Sequence, residues 1–259
     1  LLINDIRIYG LEQLVDRAIS VNPSLKTLTP WRFRDIATRF ALLLRSQKFD
    51  CGPGPVCHLE LAFNRQHGAI EPQWIGLCRK YTCGVDRIQF ANSDEATRDT
   101  FFIDAIFAML MSISAYDKLE DSVIKQTRDQ LAMQGEALEI VKRQQENQKY
   151  NVSVLYTVGQ PCRFILSGTQ KDSLITSKLT VLELDRVDDI FMLAARLTLK
   201  SKAIAIYPRT NVIAHQTMQR YLPRLRGNGY CLERDDVIEI PLKRLFENTD
   251  PNAPSLALS

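Results

Sequence analysis

Three histidines, six cysteines and a few clustered acids are the side chains in this sequence that carry nucleophilic, acid–base or metal-ligating chemistry. Cys57 and His58 are neighbours, and on a strand neighbouring side chains point to opposite faces, so they do not pair as nucleophile and base. A thiol hydrolase would need the fold to bring Cys57 to His67 or His215. Cys57, Cys78 and Cys162 sit instead among Val, Leu, Ile and Phe, where a free thiol acts as a small hydrophobe. The spacings Cys51-x5-Cys57 and Cys78-x4-Cys83 are loose for one zinc ion, whose paired sulfurs lie two to four residues apart. No His-Glu-x-x-His helix signature occurs, and no metal is expected.

The acids group as Asp185, Asp188 and Asp189, then Asp235 and Asp236. The first group falls where a strand gives way to a helix, where carboxylates cap free backbone N–H groups and complement the helix dipole. The second follows Arg234 in a turn and reads as solvated. Gly52-Pro53-Gly54 and 227–229 are too short to cradle a phosphate, and Pro53 lacks the N–H that a cradle would use. A Gly-x-Ser-x-Gly elbow is also missing, so neither a cofactor nor a recognised hydrolase motif is expected.

The clearest charge feature is residues 200–232, which carry Lys200, Lys202, Arg209, Arg220, Arg224 and Arg226 and no Asp or Glu. Tyr207, Tyr221 and Tyr230 are interleaved. Arg and Tyr combine large contact area with directed hydrogen bonds, which suits protein hot spots. They also suit RNA or single-stranded DNA, whose bases stack on aromatic rings. Arg209, Arg220, Tyr221, Arg224, Arg226 and Tyr230 are therefore the candidate partner-binding residues. The bland alternative is a solvated basic face balanced by acids elsewhere, with Tyr207 closing an apolar strand.

Elements must position these groups. The chain has 259 residues, 45% hydrophobic and 24% charged, enough for a substantial core and unlike a disordered or collagen-like composition. Lys and Arg number 33 against 30 acids, and a net +3 does not demand a polyanionic partner. The apolar stretch 103–116 contains Asp104 and is too short to cross a bilayer, so no membrane association is expected. Six cysteines are too sparse for a disulfide scaffold, which favours the cytoplasm; in an oxidising compartment Cys51–Cys57 and Cys78–Cys83 are the pairings to consider. Leu1 is not an initiator methionine, and an upstream segment, with a removed leader among the options, is expected.

The pattern predicts an α+β fold of antiparallel meanders packed with helices, in three parts: an N-terminal helical segment over 1–50, a unit over 51–150 and a unit over 151–259. Thr29 and Pro30 supply a cap and first-turn proline for a helix at 31–47, whose Phe33, Ile36, Ala37, Phe40, Ala41 and Leu44 share one face. Strands are expected at 56–63, 73–80 and 85–90, then a core helix after Asn92-Ser93-Asp94. Residues 117–149 are polar and helical, with Asp121/Lys125 and Glu139/Arg143 at supporting spacing and Ile124, Leu131 and Leu138 recurring every seventh position. They form either a helix across one face or an arm for homodimerisation. Strands at 151–158, 163–167 and 178–184 and a helix at 188–200 then repeat the β-β-β-α order, a duplication in pattern only. A strand at 203–207, a helix at 211–221, strands at 230–233 and 237–240 and a tail of fifteen residues complete the chain.

This combination points first to a non-catalytic protein-binding module, with a cytoplasmic inhibitor of the bacterial immunity-protein type as the specific expectation and an acidic protein as partner. One alternative is a hydrolase or nuclease whose site assembles from His58, His67, His215 and the Asp185 cluster. The other is an RNA- or single-stranded-DNA-binding protein using 200–232.

Overall fold

The computed structural model describes residues 2–247 apart from 53, 55, 76, 77, 118, 160 and 234–236. The Asp235–Asp236 pair, tail residues 248–259 and the side chains of Cys78 and Cys231 lie outside the described residues. The chain is α+β with antiparallel strands, as its sequence pattern predicts, and it divides into two units, residues 1–138 and 139–259.

In the first unit, β1 (Asp5–Tyr9) alternates strictly, burying Ile6 and Ile8 and exposing Arg7 and Tyr9. Helices α1 (Leu11–Val21) and α2 (Pro30–Ser46) then carry the chain across to β2 (Val56–Ala62), which runs parallel to β1. A parallel neighbour needs such a crossover, because a tight turn only reverses the chain. All six residues predicted for the inner face of α2 are buried. Pro30 occupies the first helical position, whereas the Thr29 side chain makes no capping bond.

The strands β3 (Ile70–Ile75) and β4 (Cys78–Gly84) form an antiparallel hairpin, but β4 inserts beside β2 in parallel, giving the order β1-β2-β4-β3. The meander expected over 56–90 is thus a mixed sheet, and the two units do not share one topology. The strand expected at 85–90 is the helix α3 (Arg87–Asn92), because the Asp86 carboxylate accepts the N–H groups of Ile88 (2.8 Å) and Gln89 (3.1 Å) and so nucleates a turn. Asp94 does the same for Thr97 at the start of α4 (Glu95–Asp117).

The polar stretch 117–149 is not one helix. Helix α5 (Ser122–Gln134) stops at Gly135, whose φ of +52° few residues other than glycine adopt readily, and the chain continues as β5 (Ile140–Glu146). Asp121 and Lys125 do pair, at 2.8 Å. Glu139 instead meets Lys178 at 2.6 Å, and Arg143 donates to the Ala195 carbonyl. Ile124, Leu131 and Leu138 are all buried, and α5 packs on α2 and α4, so it lies across its unit and is no protruding dimerisation arm.

The second unit begins with a fully antiparallel meander, β5, β6 (Tyr150–Tyr156), β7 (Cys162–Gln170) and β8 (Ile175–Leu184), in sequence order. Helix α6 (Asp188–Leu193) is one short element, not the helix expected to reach Lys200. Residues Arg196–Leu199 form β9 because they pair with β10 (Ala203–Tyr207), a tertiary ladder that overrides a weak local preference. Helix α7 (Val212–Gly227), β11 (Cys231–Glu233), β12 (Val237–Pro241) and α8 (Leu242–Glu247) follow, and the second sheet has the order β11-β12-β10-β9.

At the β7–β8 turn Leu174 sits at φ +55° with 79% of its surface exposed. A left-handed leucine costs about 1–2 kcal/mol, of which a glycine replacement returns part and loses about 0.5–1 kcal/mol in unfolded-chain entropy. Leu174→Gly is therefore expected to stabilise the protein by about 0.5–1 kcal/mol, read as a higher urea midpoint at unchanged slope.

Candidate binding cleft

The residues singled out for catalysis are dispersed. Cys57 is fully buried on β2 while His58 faces the other way, its Nδ1 sharing a hydrogen bond with the Tyr9 hydroxyl at 3.0 Å. Burial pushes the Cys57 and Cys83 thiols up to about 12, far from the thiolate form at neutral pH. The ring of His67 stacks on Phe101 at 4.5 Å, and its Nδ1 accepts the Asp86 N–H at 3.1 Å. His215 belongs to the second unit. No set of three His, Cys, Asp or Glu side chains suited to a metal occurs among the described residues.

The Asp185 cluster is taken up by the fold. Asp189 is buried at the start of α6 and accepts a 2.7 Å hydrogen bond from the Tyr221 hydroxyl, which itself accepts the Asp185 N–H at 2.7 Å. Arg220 meets Asp189 at 3.2 Å, and Arg224 meets Asp185 at 3.3 Å. Burial first, and then the carboxylate of Asp189, raise the Tyr221 phenol to about 12.

This places the six sequence-derived partner-binding residues. Tyr221 and Tyr230 are core residues, which corrects their reading as surface anchors, and Tyr230 lies under the Arg244 guanidinium. Arg220 and Arg224 are tied to carboxylates on α6 and the end of β8. Arg226 is exposed, and Arg209 is exposed at the edge of an open cleft of about 1010 Å³.

Three connected pieces of chain build that cleft. Arg196 of β9 stands directly across the ladder from Tyr207 of β10, and its guanidinium covers the tyrosine ring at 3.9 Å. After Pro208 the Arg209 N–H donates to the Met192 carbonyl at 2.8 Å, which anchors the loop on α6 and sets its side chain at the rim. Asn211 then caps α7 by accepting the Ala214 N–H at 2.7 Å, so that Val212 and His215 follow on the first turn. Buried Val237 of β12 completes the wall. No Asp or Glu lines the cleft, and neither arginine has an ion-pair partner among the described residues. Val212 is 73% exposed and its neighbour Ile213 is 61% exposed.

The arrangement offers two guanidinium groups, one of them placed over an aromatic ring, beside exposed aliphatic surface. That is a binding chemistry, and His215 stands beside it on the same wall. The acid-free run of 200–232 pointed to Arg209 but not to Arg196, which lies outside the run and was expected inside a helix. Its signal was the alternation of Arg196-Leu-Thr-Leu199.

Two measurements follow. Removing the hydroxyl in Tyr221→Phe leaves the Asp185 N–H without its partner and buried Asp189 with Arg220 alone, and is expected to cost about 1–3 kcal/mol in urea unfolding. Burial also holds the His58 and His67 imidazoles below their ordinary value of 6.5. A base with a lowered folded pKa gives stability that is complete above the unfolded value and falls as the pH drops below it. Unfolding stability is thus expected to decline below pH 6.5, less steeply in His67→Asn. Set against known proteins, the chain matches no family model, no curated protein and no solved structure.

Proposed function

We propose that this protein is a non-catalytic protein-binding module that grips an acidic partner at the β9–β10–α7 cleft. One observation carries the reading: two arginines without ion-pair partners among the described residues share a cleft whose rim exposes Val212. Cations beside exposed aliphatic side chains complement a protein surface that presents carboxylates among apolar groups. A nucleic acid would want free aromatic faces, yet Tyr207 is covered on one face by Arg196 and Tyr221 and Tyr230 are buried. In this reading the protein is a stoichiometric inhibitor of the immunity-protein type, acting by covering the working surface of its partner. Four free, buried cysteines support placing it in the reducing cytoplasm.

The test is capture from the native host after nuclease treatment and in high salt, followed by titration calorimetry with the purified partner. The expected result is one protein bound in a 1:1 ratio, with affinity about 10-fold to 100-fold weaker for Arg209→Glu. Recovery of nucleic acid alone, or loss of every partner after nuclease, would sink the reading.

A further inference from the structure

We infer that the cleft reads one particular chemistry, a peptide segment in which an Asp or Glu carboxylate is flanked by aliphatic side chains. The inference rests on the protein-binding reading and specifies what is recognised. Arg196 is the first reason. Its guanidinium carbon lies 3.9 Å from the Tyr207 ring centroid, and the two residues are directly opposed on antiparallel strands, so the ladder holds the guanidinium over the ring. A stacked guanidinium keeps its in-plane N–H edge for other partners, and that planar fork matches the two oxygens of a carboxylate.

The second reason is Arg209. Its backbone is anchored to Met192, while its side chain stays exposed at the same cleft. Two basic residues of α7, Arg220 and Arg224, direct their charge to Asp189 and Asp185. Among the described residues the cleft arginines have no such neighbour, and the wall contributes no acid to repel an incoming carboxylate.

The third reason is the apolar part of the wall. Pro208, Val212 and Val237 border the same space as the two arginines. An aliphatic side chain next to the acid removes this surface from water, which a hydrated phosphate or a sugar does not do. A phosphodiester would satisfy the charge and leave the aliphatic surface wet.

The experiment uses the full chain labelled with nitrogen-15 and follows amide shifts during titration to millimolar peptide. Probes are acetyl-Leu-Glu-Leu-Glu-Leu-amide, its counterpart with Gln for Glu, and a single-stranded uridine octamer. The expected result is a set of shifts confined to residue 196 and residues 207–215. The Gln peptide is expected to bind about 10-fold more weakly or worse, as is the Glu peptide to Arg209→Ala. Arg196→Lys separates recognition from bulk charge: it keeps the cation but loses the fork and the stacking, so it too is expected to weaken the Glu peptide about 10-fold with the amide spectrum otherwise intact. Equal binding of the Gln peptide, no shifts at millimolar Glu peptide, or tighter binding of the uridine octamer at these residues would each overturn the inference. If the captured partner binds Arg196→Lys and Arg209→Ala as tightly as the unaltered chain, this inference fails while the protein-binding reading stands. If no protein partner exists, the reading itself fails.

Discussion

The buried hydrogen bond between Tyr221 and Asp189 fixes the part of this protein that carries its candidate site. A hydroxyl away from water must be satisfied, and Tyr221 satisfies both of its capacities, donating to the Asp189 carboxylate and accepting the Asp185 N–H. Those partners lie on α6 and just past the end of β8, so the bond sets the position of α7 against both. The rotation of α7 then determines where its first turn falls, and with it Val212 and His215. Farther along the helix, Asn228 donates to the Val181 carbonyl and Arg224 to that of Glu183. Strand β8 is an edge of its sheet, and the ladder with β7 slips a residue at Val181. The polar end of α7 therefore answers carbonyls that the sheet leaves open, which also protects the edge from pairing with another chain.

Charge in this unit has to be read in space. Along the sequence, 200–232 is a purely cationic run, but its carboxylate partners come from elsewhere: Asp185 and Asp189 before it, and Glu239 after it, which pairs with Lys200. The exposed one, Arg224–Asp185, contributes little, about 0–1 kcal/mol, to stability. The larger effect of such pairing is on the surface field, since a paired guanidinium presents a dipole where a free one presents a charge. Lys202, Arg209 and Arg226 have no ion-pair partner among the described residues, and the fold adds Arg196 beside Arg209 from a strand outside the run.

Much of the architecture was legible because amphipathic patterns translate directly into burial. The inner face of α2, the strand Ala203–Tyr207 and the Asn211 start of α7 all follow from local spacing and capping. Where local pattern was ambiguous, tertiary structure decided. Arg87-Ile-Gln-Phe90 alternates like a strand, yet the Asp86 cap makes it a helix; Arg196–Leu199 follows a helix, yet pairing with β10 makes it a strand. The order β1-β2-β4-β3 was not legible at all, because parallel pairing depends on a crossover longer than any local window. Nor was the burial of Arg79, whose guanidinium meets the Cys51 carbonyl and the Asp117 carboxylate across three separate segments. The site failed for a related reason. Tyrosine and arginine suit a surface hot spot and a satisfied interior equally well, and only the partners of Tyr221, Tyr230, Arg220 and Arg224 distinguish the two.

The size of the cleft bears on how such a module would hold a partner. Covering an exposed Val or Ile contributes about 1.5–3 kcal/mol, and an Arg–carboxylate contact about 1.5–3 kcal/mol, against an association cost of about 4–15 kcal/mol. Two arginines and one exposed aliphatic side chain, Val212, thus bring a short peptide only to weak, millimolar-range binding. A stable complex needs about 800 Å² from each side, well beyond one cleft. In the proposed reading the cleft would act as an anchor, fixing which acidic, aliphatic feature of the partner is engaged and in what register. The surrounding surface excludes water and supplies the remaining area. An anchor of this sort is best built on rigid elements, and it stands here on a paired strand, a tethered loop and a capped helix whose far end is locked by a buried tyrosine.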